Sequence, residues 1–179
     1  MRVIAGEHKG RRLVGPDTDE TRPIMDRAKE SIFNSIAFEI PDARIVDLFA
    51  GAGSFGIEAL SRGAASAVFV ESGRKALQAL RTNLDTLGIE AVVRSADVLT
   101  WDASVDGPFD VVFCDPPWPM QASVVAEVLE RLAPDLTGDA LVVVTRRSSD
   151  PTPEPVGYRI DDERRLGGTR IIRYRKETS

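Results

Sequence analysis

The feature of this sequence that most constrains its fold is a regular alternation of strand-like and helix-like segments between residues 44 and 145. Short runs rich in Val, Ile and Phe predict buried strands at residues 44–49, 66–71, 90–94, 109–115 and 140–145. Segments with helical spacing of apolar residues predict helices at residues 54–62, 72–87 and 121–133. Strands that alternate with helices predict an α/β fold, in which a mostly parallel sheet carries helices on both faces.

Two segments outside this alternation complete the predicted architecture. Residues 1–22 are predicted as a basic N-terminal arm with a turn at Gly10, and residues 23–40 as a leading helix with Thr21 as its N-cap. Residues 158–176 carry Gly167-Gly168 between two strand-like runs, which predicts an antiparallel hairpin at the sheet edge. The length of 179 residues predicts a single domain, of which residues 44–179 form the core.

The composition excludes several other classes of protein. A content of 42% hydrophobic and 28% charged residues is typical of a globular chain. No apolar run approaches the roughly 18 residues of a membrane span, and charges occupy the place where a signal peptide needs its apolar stretch. The one cysteine, Cys114, can form neither an internal disulfide nor a cysteine-rich metal site. We therefore expect a cytoplasmic protein without a metal, and, since no exposed heptad demands a partner, a monomer.

The net charge of −5 hides an uneven distribution along the chain. Residues 1–12 hold four basic side chains against one acid, and residues 159–176 hold seven against three. If the two ends meet in the fold, they form a basic patch on an acidic body, which is typical of a protein that binds a phosphate-rich partner. Otherwise they are two solvated, positively charged segments.

A glycine-rich turn follows the first predicted strand. The sequence from Asp47 to Gly56 reads DLFAGAGSFG, and its glycines match the G-x-G-x-x-G pattern of nucleotide-binding turns. Glu71 lies 20 residues after Gly51, at the spacing where a strand-end carboxylate binds the two ribose hydroxyls. The turn therefore predicts a cofactor that contains a nucleoside.

The acids of this region indicate which cofactor. Asp47, Glu71 and Asp97 follow three successive strands, at the edge where open α/β sheets bind ligands. A carboxylate at Asp47 disfavours the pyrophosphate of a dinucleotide, whereas it suits the ammonium and sulfonium of S-adenosylmethionine. Asp97 is placed to accept from an adenine amine.

The most specific string is Asp115-Pro116-Pro117-Trp118, directly after the fourth predicted strand. Prolines stiffen the backbone and lack N–H donors, so a carbonyl there can face a ligand. The Asp115 carboxylate and the Pro116 carbonyl would accept the two N–H bonds of an exocyclic amine on a planar ring. Trp118 would stack on a base that has left its own stack.

Motif by motif, the chain resembles the RsmD family of small-subunit ribosomal RNA guanine-N2 methyltransferases. The resemblance covers nearly the whole length. The glycine turn and the Asp-Pro-Pro-aromatic string are shared by many amino-methyltransferases, and the basic opening and Thr21-Arg22-Pro23 narrow the choice to this family. The motifs that carry it are Arg2-Val-Ile-Ala-Gly6 with Lys9-Gly10-Arg11, Thr21-Arg22-Pro23 with Asp26-Arg27 and Glu30, Phe33-Asn34, Asp47 to Gly53, Gly56 to Gly63, Phe69-Val-Glu71, Asp115-Pro-Pro117 and Gly168-Thr169.

The resemblance implies a Rossmann-like domain with a mostly parallel seven-stranded sheet, which uses S-adenosylmethionine to methylate one guanine of 16S rRNA in the small ribosomal subunit or its assembly. The implied catalytic residues are Asp115, Pro116, Pro117 and Trp118. The implied cofactor-binding residues are Asp47, Phe49, Gly51, Gly53, Glu71, Ser72, Asp97 and Val98. Candidate RNA-binding residues are Lys9, Arg11, Arg12, Arg22, Arg27, Arg165 and Arg170.

Three alternatives remain open on the sequence. The first is an adenine-N6 methyltransferase that acts on RNA or DNA. The family usually has Tyr or Phe at the position of Trp118, whereas Asp-Pro-Pro-Trp also occurs among adenine-N6 methyltransferases. A nicotinamide-dependent oxidoreductase shares the glycine pattern, although Asp47 and the Asp115–Trp118 string argue against it. A catalytically inactive RNA-binding protein would need a damaged catalytic string, and here that string is intact.

Overall fold

The computed structural model describes residues 1–15 and 26–177. Seven strands form one sheet in the order β3-β2-β1-β4-β5-β7-β6. The strands are β1 (Arg44–Leu48), β2 (Ser66–Glu71), β3 (Val92–Ser95), β4 (Phe109–Cys114), β5 (Leu136–Arg147), β6 (Tyr158–Leu166) and β7 (Thr169–Lys176). The helices are α1 (Asp26–Ser35), α2 (Ser54–Ser61), α3 (Arg74–Leu87) and α4 (Ala122–Leu132). Strands β1 to β5 are parallel, whereas β7 runs antiparallel to its two neighbours, β5 and β6, so the predicted α/β fold with a C-terminal hairpin is confirmed.

The two faces of the sheet carry separate apolar cores, because side chains alternate along each strand. Ile45 of β1 and Phe113 of β4 face one side, where α1, α2 and α3 pack together with the N-terminal segment. Val46 and Cys114 face the other side, which α4 covers. Both faces of β1, β2 and β4 are therefore largely buried, as the continuous apolar runs of the sequence predict, whereas the edge strand β3 is partly exposed.

Several predicted boundaries are wrong by a few residues, and the leading helix by more. The helix α1 ends at Ser35 instead of residue 40, and the Ser35 hydroxyl bonds the Ile32 carbonyl, a contact that competes with helix continuation. Ile36 and Ile40 are still fully buried, although they lie in the turn that follows α1. Their helix-like spacing therefore reflects burial in the core and not a continued helix. The start of the predicted leading helix, with Thr21, lies outside the described residues.

The strands β3 and β5 also differ from their predicted bounds. β3 runs over Val92–Ser95 instead of residues 90–94. β5 runs over Leu136–Arg147 instead of residues 140–145, because its end pairs with β7 as far as Arg147 opposite Thr169. The residues added at the two ends include three charged ones, Asp139, Arg146 and Arg147, which break the apolar pattern, and strand pairing overrides that pattern.

The described part of the N-terminal arm folds back on itself and packs on α2. Val3 and Arg11 share a backbone hydrogen bond of 2.9 Å across this small hairpin, and Gly10 turns with a positive φ of 83°. Gly6 has a φ of 82°, and a Cβ at this position would lie 1.7 Å from the Ser61 carbonyl oxygen. Only glycine therefore allows the arm to approach α2 this closely.

A buried carboxylate, Glu58 of α2, holds the arm in place. Glu58 is fully buried, and its oxygens accept from the backbone amides of Ile4 at 2.8 Å and Ala5 at 3.0 Å. The same carboxylate pairs with Lys29 of α1 at 3.3 Å and with Arg62 at 2.7 Å. Burial lowers the pKa of Lys29, and the charge of Glu58 opposes that shift. The arm, α1 and α2 therefore meet at one charged cluster.

We expect Glu58→Gln to lower the free energy of unfolding by about 3 kcal/mol, because it leaves Lys29 and Arg62 beside a neutral amide in a buried place. Urea unfolding monitored by circular dichroism measures the change. The matched control is Glu127→Gln on the exposed face of α4, for which we expect less than about 0.5 kcal/mol. Equal unfolding midpoints for the two variants would show that the buried cluster contributes no stability.

Candidate active site at the carboxyl edge of the sheet

The strand order brings the predicted site residues together along one edge. The parallel strands β3, β2, β1, β4 and β5 lie side by side, so their carboxyl ends follow one another in space. Glu71 ends β2, Asp115 follows β4 directly, and Asp97 lies two residues beyond β3. Asp47 stands one residue before the end of β1. This edge is where open α/β sheets bind their ligands.

The glycines of the turn have different structural roles. Gly51 has a φ of 57°, and a Cβ there would meet no atom within 4 Å, so this position offers open backbone to a ligand. At Gly53 a Cβ would lie 2.5 Å from Leu80 Cδ1, and at Gly56 a Cβ would lie 2.3 Å from Phe69 Cε1. Gly53 and Gly56 therefore allow α2 to pack closely on its neighbours, and the assignment of Gly51 and Gly53 to the cofactor stays a prediction.

The backbone of the turn is strained at Phe49, which has a left-handed φ of 57°. Such a conformation costs a bulky residue about 1–2 kcal/mol. Strain of this kind concentrates where a fold must hold a binding loop in one shape. Phe49 packs at the margin of the α4-side core.

Asp47 lies beneath the glycine turn instead of in an open crevice, which corrects the expected position of its carboxylate. The side chain is 1% exposed, and its Oδ2 accepts from the Gly56 amide at 2.8 Å. Burial raises the pKa of Asp47 well above its usual range, and the charges of Asp115 and Glu71 add to this shift, while the Gly56 hydrogen bond opposes it. The carboxylate thus caps the start of α2 from the neighbouring strand.

Glu71 joins the glycine turn to the loop after β2. One carboxylate oxygen accepts from the Gly51 amide at 2.8 Å. The other accepts from the amides of Ser72 at 2.9 Å and Gly73 at 2.6 Å. The structure therefore brings together two residues that the 20-residue spacing paired, and Ser72 lies exposed beside them.

The loop after β3 forms a tight turn under Asp97. Asp97 is exposed, and its Oδ1 accepts from the Leu99 amide at 2.9 Å. Val98 is 3% exposed and faces the core. Arg131 of α4 donates to the carbonyls of Val98 and Leu99, a contact that no sequence motif predicted. Beneath this loop lies a cavity of about 350 Å³, whose apolar wall includes Trp101.

The catalytic candidates follow β4 as predicted. Asp115 is half-buried, and burial raises its pKa to about 6, while a hydrogen bond from the Thr145 hydroxyl opposes the shift. Pro116 is buried and Pro117 is exposed. The Trp118 ring carries the guanidinium of Arg147 over it, with Cζ 5.4 Å from the ring centre. The loop thus presents a carboxyl group with a raised pKa beside an aromatic ring.

The end of β5 holds this loop, and sequence reasoning missed it. Thr145 contacts Asp115, and Arg147 contacts Trp118. Arg146 is 4% exposed and donates to the Met120 carbonyl at 2.6 Å. The signal available in the sequence was the pair of arginines that follows the apolar run 140–144 and Thr145, since charged residues are rarely buried without a partner.

The candidate RNA-binding residues separate into two groups. Exposed positions are Lys9, Arg11, Arg12, Arg27 and Arg165. Arg170 is 8% exposed and donates to Thr152 at 2.7 Å and to the Ser148 carbonyl at 3.1 Å, so its assignment to an RNA surface is corrected. Arg22 lies outside the described residues.

The hairpin is less basic than its sequence predicts. Its arginines pair with acids of the hairpin itself and its surroundings, as Arg164 does with Asp162 at 2.6 Å and Arg173 with Asp161 at 3.0 Å. The arm keeps its exposed cations, whereas much of the hairpin charge is neutralised locally. Within residues 1–15 and 26–177, no His, Cys, Asp and Glu side chains cluster as a metal site, and no helix has the length and apolarity to cross a membrane.

Comparison with known proteins agrees with this architecture. The family model described as "Conserved hypothetical protein 95" matches residues 1–175. Ribosomal RNA small subunit methyltransferase D of Escherichia coli is 34% identical over 181 residues, which cover 99% of this chain and 90% of the relative. The protein of the same name from Haemophilus influenzae is 33% identical over 98% of this chain and 92% of its own length. A solved structure described as "Putative methyltransferase yhhF from Escherichia coli" has a TM-score of 0.86 at 32% identity and covers 100% of this chain and 99% of its own.

The fold is that of the Rossmann-like methyltransferases, with the glycine turn, the strand-end acids and the Asp115–Trp118 loop at one edge of the sheet. The match over residues 1–175 and the full-length relatives show that the chain belongs to the family described as Conserved hypothetical protein 95. The resemblance to the RsmD family is thereby confirmed.

The raised pKa of Asp115 predicts a pH-dependent stability. Between the ordinary pKa of an unfolded Asp, about 4, and the folded value of about 6, the folded state binds more protons, so the free energy of unfolding falls as the pH rises through this window. We expect Asp115→Asn to raise the melting temperature above that of the wild type at pH 8, and the difference to shrink toward pH 4. Calorimetry at both pH values measures it.

Asp102 provides a control of opposite sign. Its pKa is lowered by hydrogen bonds from Ser104, so its charged form is favoured in the folded state. Asp102→Asn should slightly lower the melting temperature at pH 8. A lower melting temperature for Asp115→Asn as well would contradict the destabilising effect of the buried Asp115 charge.

Proposed function

We propose that this chain transfers a methyl group from S-adenosylmethionine to the exocyclic N2 of a guanine in 16S rRNA, on the small ribosomal subunit or an assembly of it. The proposal depends chiefly on the Asp115 carboxyl group, which stands at the end of β4 beside the glycine turn. The names of the full-length relatives support the substrate class, since these proteins are called ribosomal RNA small subunit methyltransferases. The expected setting is the cytoplasm, with the enzyme as a monomer.

The turn and its acids fit S-adenosylmethionine better than a dinucleotide. The start of α2 is the place where a dinucleotide pyrophosphate would bind, but the Asp47 carboxylate already accepts from the Gly56 amide there. That amide is therefore not available to a pyrophosphate oxygen. Gly51 offers open backbone, and Glu71 stands beside it as the candidate ribose ligand. Asp97 and Val98 are the candidate contacts for adenine.

The residues of the catalytic loop can make a weak nucleophile reactive. When bound, the cofactor supplies a methyl group on a positively charged sulfur. A guanine amine that donates to Asp115 and to the Pro116 carbonyl would turn its lone pair toward that methyl group. As the amine took up that methyl group, the electron pair of the broken C–S bond would stay with the sulfur, and the surplus proton on nitrogen would pass to the Asp115 carboxylate. Positioning and charge stabilisation supply most of the rate in such a site.

Trp118 would hold the base once it has left its stack. Arg147 lies near its ring, and we assign the aromatic surface of Trp118 to stacking on the guanine. An extruded base commonly stacks on an aromatic side chain in this way. The exposed cations of the arm, with Lys9, Arg11 and Arg12, would meet RNA phosphates, and specificity would then come from the shape of the RNA.

The proposal is tested by a transfer assay with labelled S-adenosylmethionine and undermodified small ribosomal subunits, followed by digestion to nucleosides. We expect the label in N2-methylguanosine. Asp115→Ala should reduce transfer by at least about 100-fold, because it removes the acceptor of the reacting amine. The dissociation constant of S-adenosylmethionine should stay within a few fold of the wild-type value.

Glu71→Gln is the complementary control. It keeps the side-chain size but weakens charge-assisted hydrogen bonds to the ribose, so the dissociation constant should rise by about tenfold. Label in N6-methyladenosine would keep the reaction and overturn the guanine assignment. Undiminished transfer by Asp115→Ala would refute the catalytic role of Asp115.

Replacing Arg11 and Arg12 together by Ala should weaken RNA binding and lower the slope of log K against log salt by about 2, since two phosphate contacts are lost. Filter binding at several salt concentrations measures the slope. The control is the double replacement of Arg159 and Arg164, which pair with Asp161 and Asp162 in the hairpin. An unchanged slope for the arm variant, or an equal drop for the control, would exclude the arm as the RNA surface.

A further inference from the structure

The last three residues of β5 contact the catalytic loop at three different places. Thr145 donates a hydrogen bond to Asp115 at the start of the loop, and Arg147 lies over the ring of Trp118. Arg146 donates to the carbonyl of Met120, two residues after Trp118. Alternation along the strand puts Thr145 and Arg147 on the face of Asp115, whereas Arg146 lies on the opposite face. This part of β5 therefore fixes the shape of the loop from both sides.

The contact of Thr145 is the one nearest to the proposed chemistry. Thr145 is 3% exposed, and its hydroxyl donates to Oδ1 of Asp115. β4 and β5 are parallel neighbours in register from Val111 opposite Leu141 to Cys114 opposite Val144, so the next pair in line is Asp115 and Thr145. The register of β4 and β5 therefore places Thr145 beside Asp115.

The groups around Asp115 disfavour its charged form, and a hydroxyl donor there opposes that effect. On β1, Asp47 interacts with Asp115 through a like charge, and Glu71 on β2 adds a further negative group beside Asp47. On the β5 side, Arg146 lies near Cys114, and the Cys114 thiol is buried. Burial of Asp115 disfavours its charged form, and the Thr145 hydroxyl is the donor that favours it.

We propose that Thr145 is a positioning residue for the methyl transfer, which holds Oδ1 of Asp115 and thereby leaves Oδ2 to accept from the amine of the substrate. This inference rests on the proposed function, because it assumes that Asp115 receives the amine. A neutral Asp115 would present a hydroxyl in place of one acceptor, so the hydrogen bond from Thr145 also keeps the loop in its active form near neutral pH.

The test compares two substitutions at Thr145. Thr145→Val keeps the size and shape but removes the hydroxyl, and Thr145→Ser keeps the hydroxyl. We expect the acid limb of the kcat–pH profile to move up by about one pH unit in Thr145→Val, so that kcat falls by about tenfold at pH 5 and by about twofold at pH 7. Thr145→Ser should keep the wild-type limb, and the KM for S-adenosylmethionine should change less than twofold in both variants.

The chain offers a matched control at the other end of the same strand. Thr137 of β5 also donates to an Asp of β4, Asp110, at 3.0 Å, away from the site. Thr137→Val removes the same kind of contact, so it should lower stability without moving the pH profile. The proposal would be overturned if the acid limb of the kcat–pH profile of Thr145→Val lay at the wild-type pH. It would also be overturned if the acid limb of Thr137→Val moved as far as that of Thr145→Val. If Thr145→Val does not fold, Thr145→Ala is measured in the same way.

Failure of this inference differs from failure of the proposed function. If Asp115→Ala retains full transfer, the proposed role of Asp115 is wrong, and Thr145 has no acceptor to position. If Asp115→Ala is inactive while Thr145→Val matches the wild type at every pH, only the role of Thr145 is wrong.

Discussion

The buried carboxylate of Glu58 connects the parts of this molecule that the proposed function needs to hold together. It accepts from the arm at Ile4 and Ala5 and pairs with Lys29 of α1. Lys29 in turn lies 3.3 Å from the Ser54 hydroxyl at the start of α2, directly after the glycine turn. These contacts and the pair with Arg62 offset the cost of burying the Glu58 charge, and loss of Lys29 or Arg62 would leave that charge partly uncompensated. The arm and the cofactor turn therefore share one support.

A second link between the same regions is neutral. The buried amide of Asn83 on α3 donates to the carbonyls of Val14 in the arm and Ala52 in the turn, each at 3.0 Å, and accepts from the Val14 amide at 2.8 Å. A polar side chain satisfied in this way orients both of its neighbours. Charge at Glu58 and hydrogen bonding at Asn83 thus fix the arm at two points before any RNA binds.

The sequence contained enough information for the fold and for the location of the site, because both follow from repeating patterns. Apolar runs and helical spacing predict the parallel sheet, and the sheet order brings Asp115, Glu71 and Asp97 to one edge. The direction in which each side chain points is a tertiary property. Asp47 turned beneath the turn to cap α2, and Arg170 turned inward to Thr152. Neither orientation follows from residue type or spacing, since each depends on a partner that is distant in the chain.

The contacts missed from the sequence have a common origin in the length of β5. The apolar run 140–144 ends before the strand does, and pairing with β7 extends the strand to Arg147. That extension brings Arg146 and Arg147 beside the loop that follows β4, next to Thr145 at the end of the predicted strand. A strand that stopped with its apolar run would leave this loop without support at both ends. The antiparallel hairpin, which covers the edge of the parallel sheet, therefore also shapes the catalytic loop, although none of its own residues is assigned to the chemistry.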